Sequence, residues 1–248
     1  MAIFGCIIPE DCLKILRTGR KHATLEMSNN LMAQEKIIHY PSGVVKEKKY
    51  LLEGKMNGEY TTYFPGGQVM AQLHFVNGKR NGPAISYYAN GQIREKANFI
   101  HDKMDGLYVS YYENGHVREE EHYKDGKLHG LYHRYYKTGE LREEENFQNG
   151  KFEGEYVCYY KSGQIKEKGL FKNDKREGDY IAYFKNGQTK EKATYKNGNL
   201  TGKYLIFNEN GTHIDEAASD EDGSAGTWDE KDVANLLHDL SHFDKKKE

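Results

Sequence analysis

The chain is short of the residues that build a thick interior. Hydrophobic residues fill 37% of its 248 positions, less than an ordinary globular domain carries. It has four prolines, one tryptophan and three cysteines. Cys6, Cys12 and Cys158 are odd in number, widely scattered and form no CxxC pair. A disulfide framework is excluded, and a reducing, cytoplasmic compartment with at most peripheral membrane contact is expected. No apolar run approaches the roughly 20 residues a membrane-spanning helix needs, and mean hydropathy is -0.92. The start, Met1 to Pro9, has no basic segment and a short apolar stretch, so a secretory signal is not expected. Net charge is only -2, so no global basic field points to nucleic acid.

Catalytic and metal motifs are lacking too. None of the eleven histidines lies in HExxH or HxH spacing. His129 and His133 stand four apart, but on a turn and a strand rather than one helical face. Residues 218–229 match a calcium loop only at Asp220, Asp222 and Gly223. There is no P-loop and no GxSxG. The expectation is a protein without catalysis, cofactor or metal.

What the chain has is 20 tyrosines and 26 glycines, and their placement is periodic. Gly58, Gly82, Gly106, Gly130, Gly154, Gly178 and Gly202 are spaced by 24 throughout. Gly43, Gly67, Gly91, Gly115, Gly139, Gly163, Gly187 and Gly211 form a second such series. Residues 34–201 are seven units of 24 with no insertion, and residues 202–213 add half a unit. A fixed period of this length marks a repeat architecture.

One unit, residues 106–129, reads GLYVSYYENGHVREEEHYKDGKLH. Leu107 to Tyr112 is a β-prone run, and Val117 to Tyr123 is a second. Asn114-Gly115 between them predicts a type I′ hairpin turn, which needs positive φ at both residues. Asp125-Gly126 then turns the chain into the next unit. Each unit is therefore a β-hairpin. Period two places Tyr108, Ser110 and Tyr112 on one face and Leu107, Val109 and Tyr111 on the other. Aromatic columns run down the chain: Tyr60, Tyr108, Tyr132, Tyr156, Tyr180 and Tyr204 form one, and Phe64, Tyr88, Tyr112, Tyr136, Tyr160 and Phe184 another. Glu47, Glu95, Glu119, Glu143, Glu167 and Glu191 form an acidic column. On the aromatic side those carboxylates need tyrosine hydroxyl or lysine partners, because an unpaired buried charge is costly.

These units, for example Gly154-Glu155-Tyr156 with Tyr159-Tyr160 and Gly163-Gln164-Ile165-Lys166-Glu167-Lys168, resemble the MORN repeat variant. The resemblance covers about 180 residues. It departs at Ala84 for Tyr, at Ala71 for Glu, and at Pro83, which cannot donate a ladder hydrogen bond. It implies an all-β protein: an elongated, single-layer, twisted antiparallel sheet of about seven and a half hairpins. It also implies scaffolding, dimerisation, or protein and membrane association rather than catalysis, with an antitoxin-like or immunity-like role among bacterial members.

The expected organisation is an N-terminal flank over 1–33, the repeat sheet over 34–213, an acidic linker over 214–227 and a C-terminal amphipathic helix over 228–248. Val233, Leu236, Leu237 and Leu240 fall at i, i+3, i+4 and i+7, the mark of such a helix. It either caps the last hairpin or binds a partner. The expected binding surface is the tyrosine set Tyr108, Tyr112, Tyr132, Tyr136, Tyr156, Tyr160 and Tyr180. A protein partner, with a toxin as one candidate, fits a long repetitive surface best. Arginines and lysines such as Arg94, Arg118, Arg142, Lys166 and Lys190 suggest anionic lipid as an alternative. An aromatic ladder for carbohydrate is a further one, and a homodimer through a sheet edge or face remains open.

Overall fold

The computed structural model describes residues 33–218. The expected N-terminal flank, most of the acidic linker and the C-terminal helix with Val233, Leu236, Leu237 and Leu240 lie outside the described residues.

Among the described residues the chain is one antiparallel sheet of twenty strand segments, Gln34–His39 through His213–Ala218, and no helix. With each kinked strand taken as one, every inner strand pairs with the one before and the one after it in the chain. The segments make eight hairpins. In four units the first strand is cut by a kink, as in Lys103–Met104 followed by Gly106–Tyr111. The last strand runs to Ala218, five residues into the stretch expected to be linker.

Two turn types alternate, and their placement corrects the expected one. At Asp125-Gly126 both residues have positive φ, 51° and 79°, and Lys124 pairs with Lys127 across the turn. This is the two-residue type I′ turn. At Asn114-Gly115 only the glycine is left-handed, with φ 87°. The Gly115 amide donates to the Tyr112 carbonyl at 2.9 Å, and the Tyr112 amide donates to the His116 carbonyl at 2.8 Å. That is a three-residue loop, a type I turn closed by a left-handed glycine. The three residues 113–115 between the bonded Tyr112 and His116 exclude a two-residue turn.

Two bulges recur in every complete unit. Opposite His122 the register slips between Leu128 and Tyr132, with Gly130 at φ 114° at the kink. Pro83 sits in the equivalent bulge, where the ladder to the preceding strand already slips between Leu73 and Phe75. The strand Lys79–Tyr87 therefore runs through Pro83 unbroken. The second bulge lies between Ser110 and Tyr111, opposite Arg118. It re-aims Arg118, which joins its chain neighbour Glu119 on one side.

Neighbouring units are stitched at both ends of their strands. At one end a turn amide donates to a side chain 20 residues earlier, as Asn173 to Glu153 at 2.8 Å and Asn197 to Glu177 at 2.8 Å. At the other end a tyrosine hydroxyl donates to a carbonyl 23 residues later. Tyr40, Tyr88, Tyr112, Tyr136 and Tyr160 reach Tyr63, Tyr111, Tyr135, Tyr159 and Tyr183 in this way, at 2.6–2.8 Å. Burial is concentrated on one face and toward the last units, where Ala193, Tyr195, Leu200, Tyr204 and Ile206 cluster with Tyr180 against them.

Candidate functional site

The pairing register defines the more buried face. Tyr108 stands opposite Glu121, Ser110 opposite Glu119 and Gly106 opposite Tyr123. Tyr108, Tyr132, Tyr156 and Tyr180 therefore share one face with the glutamate column. Each ring meets an aromatic of the next strand edge-on. The Tyr108–Tyr123, Tyr132–Phe147, Tyr156–Phe171 and Tyr180–Tyr195 centroids lie 6.3, 6.1, 6.1 and 6.4 Å apart. Such T-shaped contacts add roughly 0.5–1.5 kcal/mol beyond area burial.

The hydroxyls on this face bind carboxylates, as the burial argument requires. Tyr60, Tyr132, Tyr180 and Tyr204 each donate to the glutamate 13 residues earlier: Glu47 at 2.8 Å, Glu119 at 3.5 Å, Glu167 at 2.8 Å and Glu191 at 2.7 Å. Tyr156 instead donates to Glu167 of its own unit at 3.0 Å. Its expected partner, Glu143, is held by Arg134 at 3.1 Å, and Arg134 also reaches Glu119 at 3.4 Å. Burial pushes the Tyr60 and Tyr132 hydroxyls up to about 12, with Glu47 and Glu119 as the next causes. Tyr156, Tyr180 and Tyr204 are raised further, again by burial first. Burial also raises the Glu121 and Glu145 carboxyls, whereas a hydrogen bond from Lys49 lowers Glu47.

The structure divides the expected tyrosines into two groups. Tyr108, Tyr132, Tyr156 and Tyr180 form a column on the face. Tyr112, Tyr136 and Tyr160 lie just past the strand ends, and their hydroxyls bond to the next unit.

The bulge produces ion pairs that period two would forbid. Arg94–Glu95, Arg118–Glu119, Arg142–Glu143 and Lys190–Glu191 are chain neighbours, yet they pair at 3.4, 3.0, 3.2 and 2.7 Å. Sequence reasoning missed these pairs, although a basic residue directly before each of the six column glutamates was the visible signal. The face is therefore not a bare acidic stripe but tethered phenol rings among paired charges. Among the described residues no group of three His, Cys, Asp or Glu side chains is placed to hold a metal ion. Cys158, a free cysteine, is buried on this face, and burial raises its thiol.

The pattern of the MORN repeat variant matches residues 56–77, 80–101, 104–125, 128–149, 152–173 and 176–197, together more than half of the chain. No curated protein matches the chain. Among solved structures, a GtfA/B complex bound to UDP and GlcNAc is similar at 14% identity over 54% of this chain and 25% of that one, with a TM-score of 0.20. A TcdB2-TccC3-TEV structure is similar at 11% identity over 74% of this chain and 13% of that one, with a TM-score of 0.21. The chain thus spans a quarter or less of the length of these proteins.

Proposed function

The chain belongs to the MORN repeat variant family, a non-enzymatic repeat module of protein and membrane interaction, and from that premise we propose that it is a scaffold whose tyrosine–glutamate face docks a protein partner. The observation that supports this reading is the tethering of the rings. Four tyrosines of one column donate to a fixed carboxylate of the preceding unit. Rings held in one rotamer lose little further entropy on binding, and tyrosine is favoured at the energetic centres of interfaces. An antitoxin-like role, with a toxin as the docked protein, is the narrower form of this proposal.

Anionic lipid is the weaker reading. Four of the five cations that suggested it, Arg94, Arg118, Arg142 and Lys190, are matched by neighbouring carboxylates. The test is cross-linking of the full chain to the protein it captures. Links should start from Lys49 and Lys190, which pair with glutamates of the tyrosine face. Links confined to Lys48, Lys96 and Lys192, which stand opposite residues of the other face, would place the partner there and refute the reading.

A further inference from the structure

The tyrosine face has one interruption. Its central row alternates tyrosine with a variable residue from strand to strand. Over three consecutive strands this row reads Leu73, Ala84 and Ala97, paired directly across the ladder. Ala84 stands where six other units carry tyrosine. Ala71 stands where the preceding unit would carry the matching glutamate. The phenol and its acceptor are thus missing together, so neither is left orphaned.

The result is a hollow of about 240 Å³, lined by Leu73, Ala84, Ala97, Phe99, Met104 and Tyr108, with Arg80, Ser86 and Glu95 also bordering it. An apolar space of about 150 Å³ already holds a benzene ring. The surrounding groups match what a tyrosine ring meets elsewhere in this sheet. Phe99 occupies the place of Phe75, Tyr123 and Phe147, each of which receives a tyrosine edge. Phe99 also carries the Arg80 guanidinium 4.2 Å from its centroid, and the equivalent Arg176 lies 5.2 Å from Tyr195 with the Tyr180 ring present, so a ring and the arginine fit together there. An acceptor is also in position. Glu95 stands to Ala84 as Glu167 stands to Tyr156, one pair further along the same strands, and Tyr156 donates to Glu167 at 3.0 Å.

We infer that this hollow receives a tyrosine side chain of the docked protein, its ring edge-on to Phe99 and its hydroxyl donating to Glu95. The inference rests on the scaffold reading and adds the residue type that the scaffold selects. The template for it is internal, since the other units show how the sheet holds such a ring.

The test uses the full chain with methyl-labelled alanine and methionine. p-Cresol and N-acetyltyrosinamide are titrated, with toluene as the ligand without a donor. Both phenols should shift the Met104 and Ala97 methyls saturably, and toluene should bind several-fold more weakly. Ala84→Tyr should weaken both phenols at least tenfold, because the chain then fills its own hollow. If Ala84→Tyr misfolds, Ala97→Leu fills the same space from the adjacent strand and should act alike. Absence of any shift, or unchanged binding in the filled variant, overturns the inference. Binding of p-cresol without N-acetyltyrosinamide overturns it as well, since the hollow would then take a free phenol and no side chain. A captured protein that Ala84→Tyr still retains overturns the hollow but leaves the scaffold reading standing. Phenol binding with no protein captured supports the hollow and counts against the scaffold.

Discussion

Glu167 is the most economical place to test how units hold one another. Its carboxylate accepts from Tyr156 of its own unit at 3.0 Å and from Tyr180 of the next at 2.8 Å. Glu167→Leu removes both acceptors and leaves two half-buried phenols facing an apolar group. A hydrogen bond to a charged group contributes roughly 1.5–3 kcal/mol. Partial exposure of this site screens that charge, so the pair is worth roughly 2–4 kcal/mol. For a chain of this length each kcal/mol moves Tm by roughly 2–4 °C. Thermal denaturation should therefore show a loss of about 4–16 °C. Glu167→Gln keeps an acceptor oxygen without the charge and should lose about half as much. Hydrogen exchange adds the spatial readout, because contacts in a repeat stack are between neighbours. Protection should fall in the strands Gly154–Tyr159 and Gly178–Tyr183 and stay unchanged in Lys55–Tyr63. A Glu167→Leu variant within 0.5 °C of the parent, or protection lost evenly along the sheet, would refute the reasoning.

Four further outcomes follow from the same geometry. Burial, then Glu143, raises the Glu145 carboxyl above its ordinary 4.5, so the folded state binds that proton more tightly than the unfolded state does. Stability from this group falls as pH rises through the folded value; Glu145→Gln should raise Tm at pH 7.5, with the gain vanishing below pH 4. Glu47, lowered by Lys49 and Tyr60, has the opposite sign, and Glu47→Gln should cost Tm at neutral pH but not well below the folded value. At Gly130, φ is 114° and an added Cβ would stand 3.3 Å from that of His122, so Gly130→Ala should cost roughly 1–3 kcal/mol by urea denaturation. The turns should also separate: Asp125→Val forces a branched residue into the left-handed region and costs more than Asn114→Val. The latter loses only side-chain bonds to the Lys137 carbonyl and the His116 amide.

The columns were legible because two periods, 2 and 24, fix which residues share a face and which stack. Tyr108, Tyr132, Tyr156 and Tyr180 fall on one face with the glutamates for that reason alone, and the need for phenol partners followed from the cost of burying a charge. The turns were less legible. Both contain a glycine after Asn or Asp, and only the residue count between the paired strand ends distinguishes them. The bulges were not legible either. They suspend alternation locally, which is why Arg118 and Glu119 can pair although they are chain neighbours. The hollow was visible as two departures, Ala71 and Ala84. That Ala97 and Leu73 complete it needed the register, which places them beside Ala84 across two ladders.

The central claim is that each hairpin is held by its neighbours rather than by a shared interior. Deleting residues 130–153, one whole unit, tests it most directly. His129 then joins Gly154, Glu119 pairs across the ladder with Cys158 as Glu143 did, and the Tyr112 hydroxyl meets the Tyr159 carbonyl. The shortened chain should keep its β-sheet circular dichroism. In small-angle scattering its longest dimension should fall by about 10 Å, two strand spacings. Loss of the sheet signal, or a folded protein of unchanged length, would contradict the account.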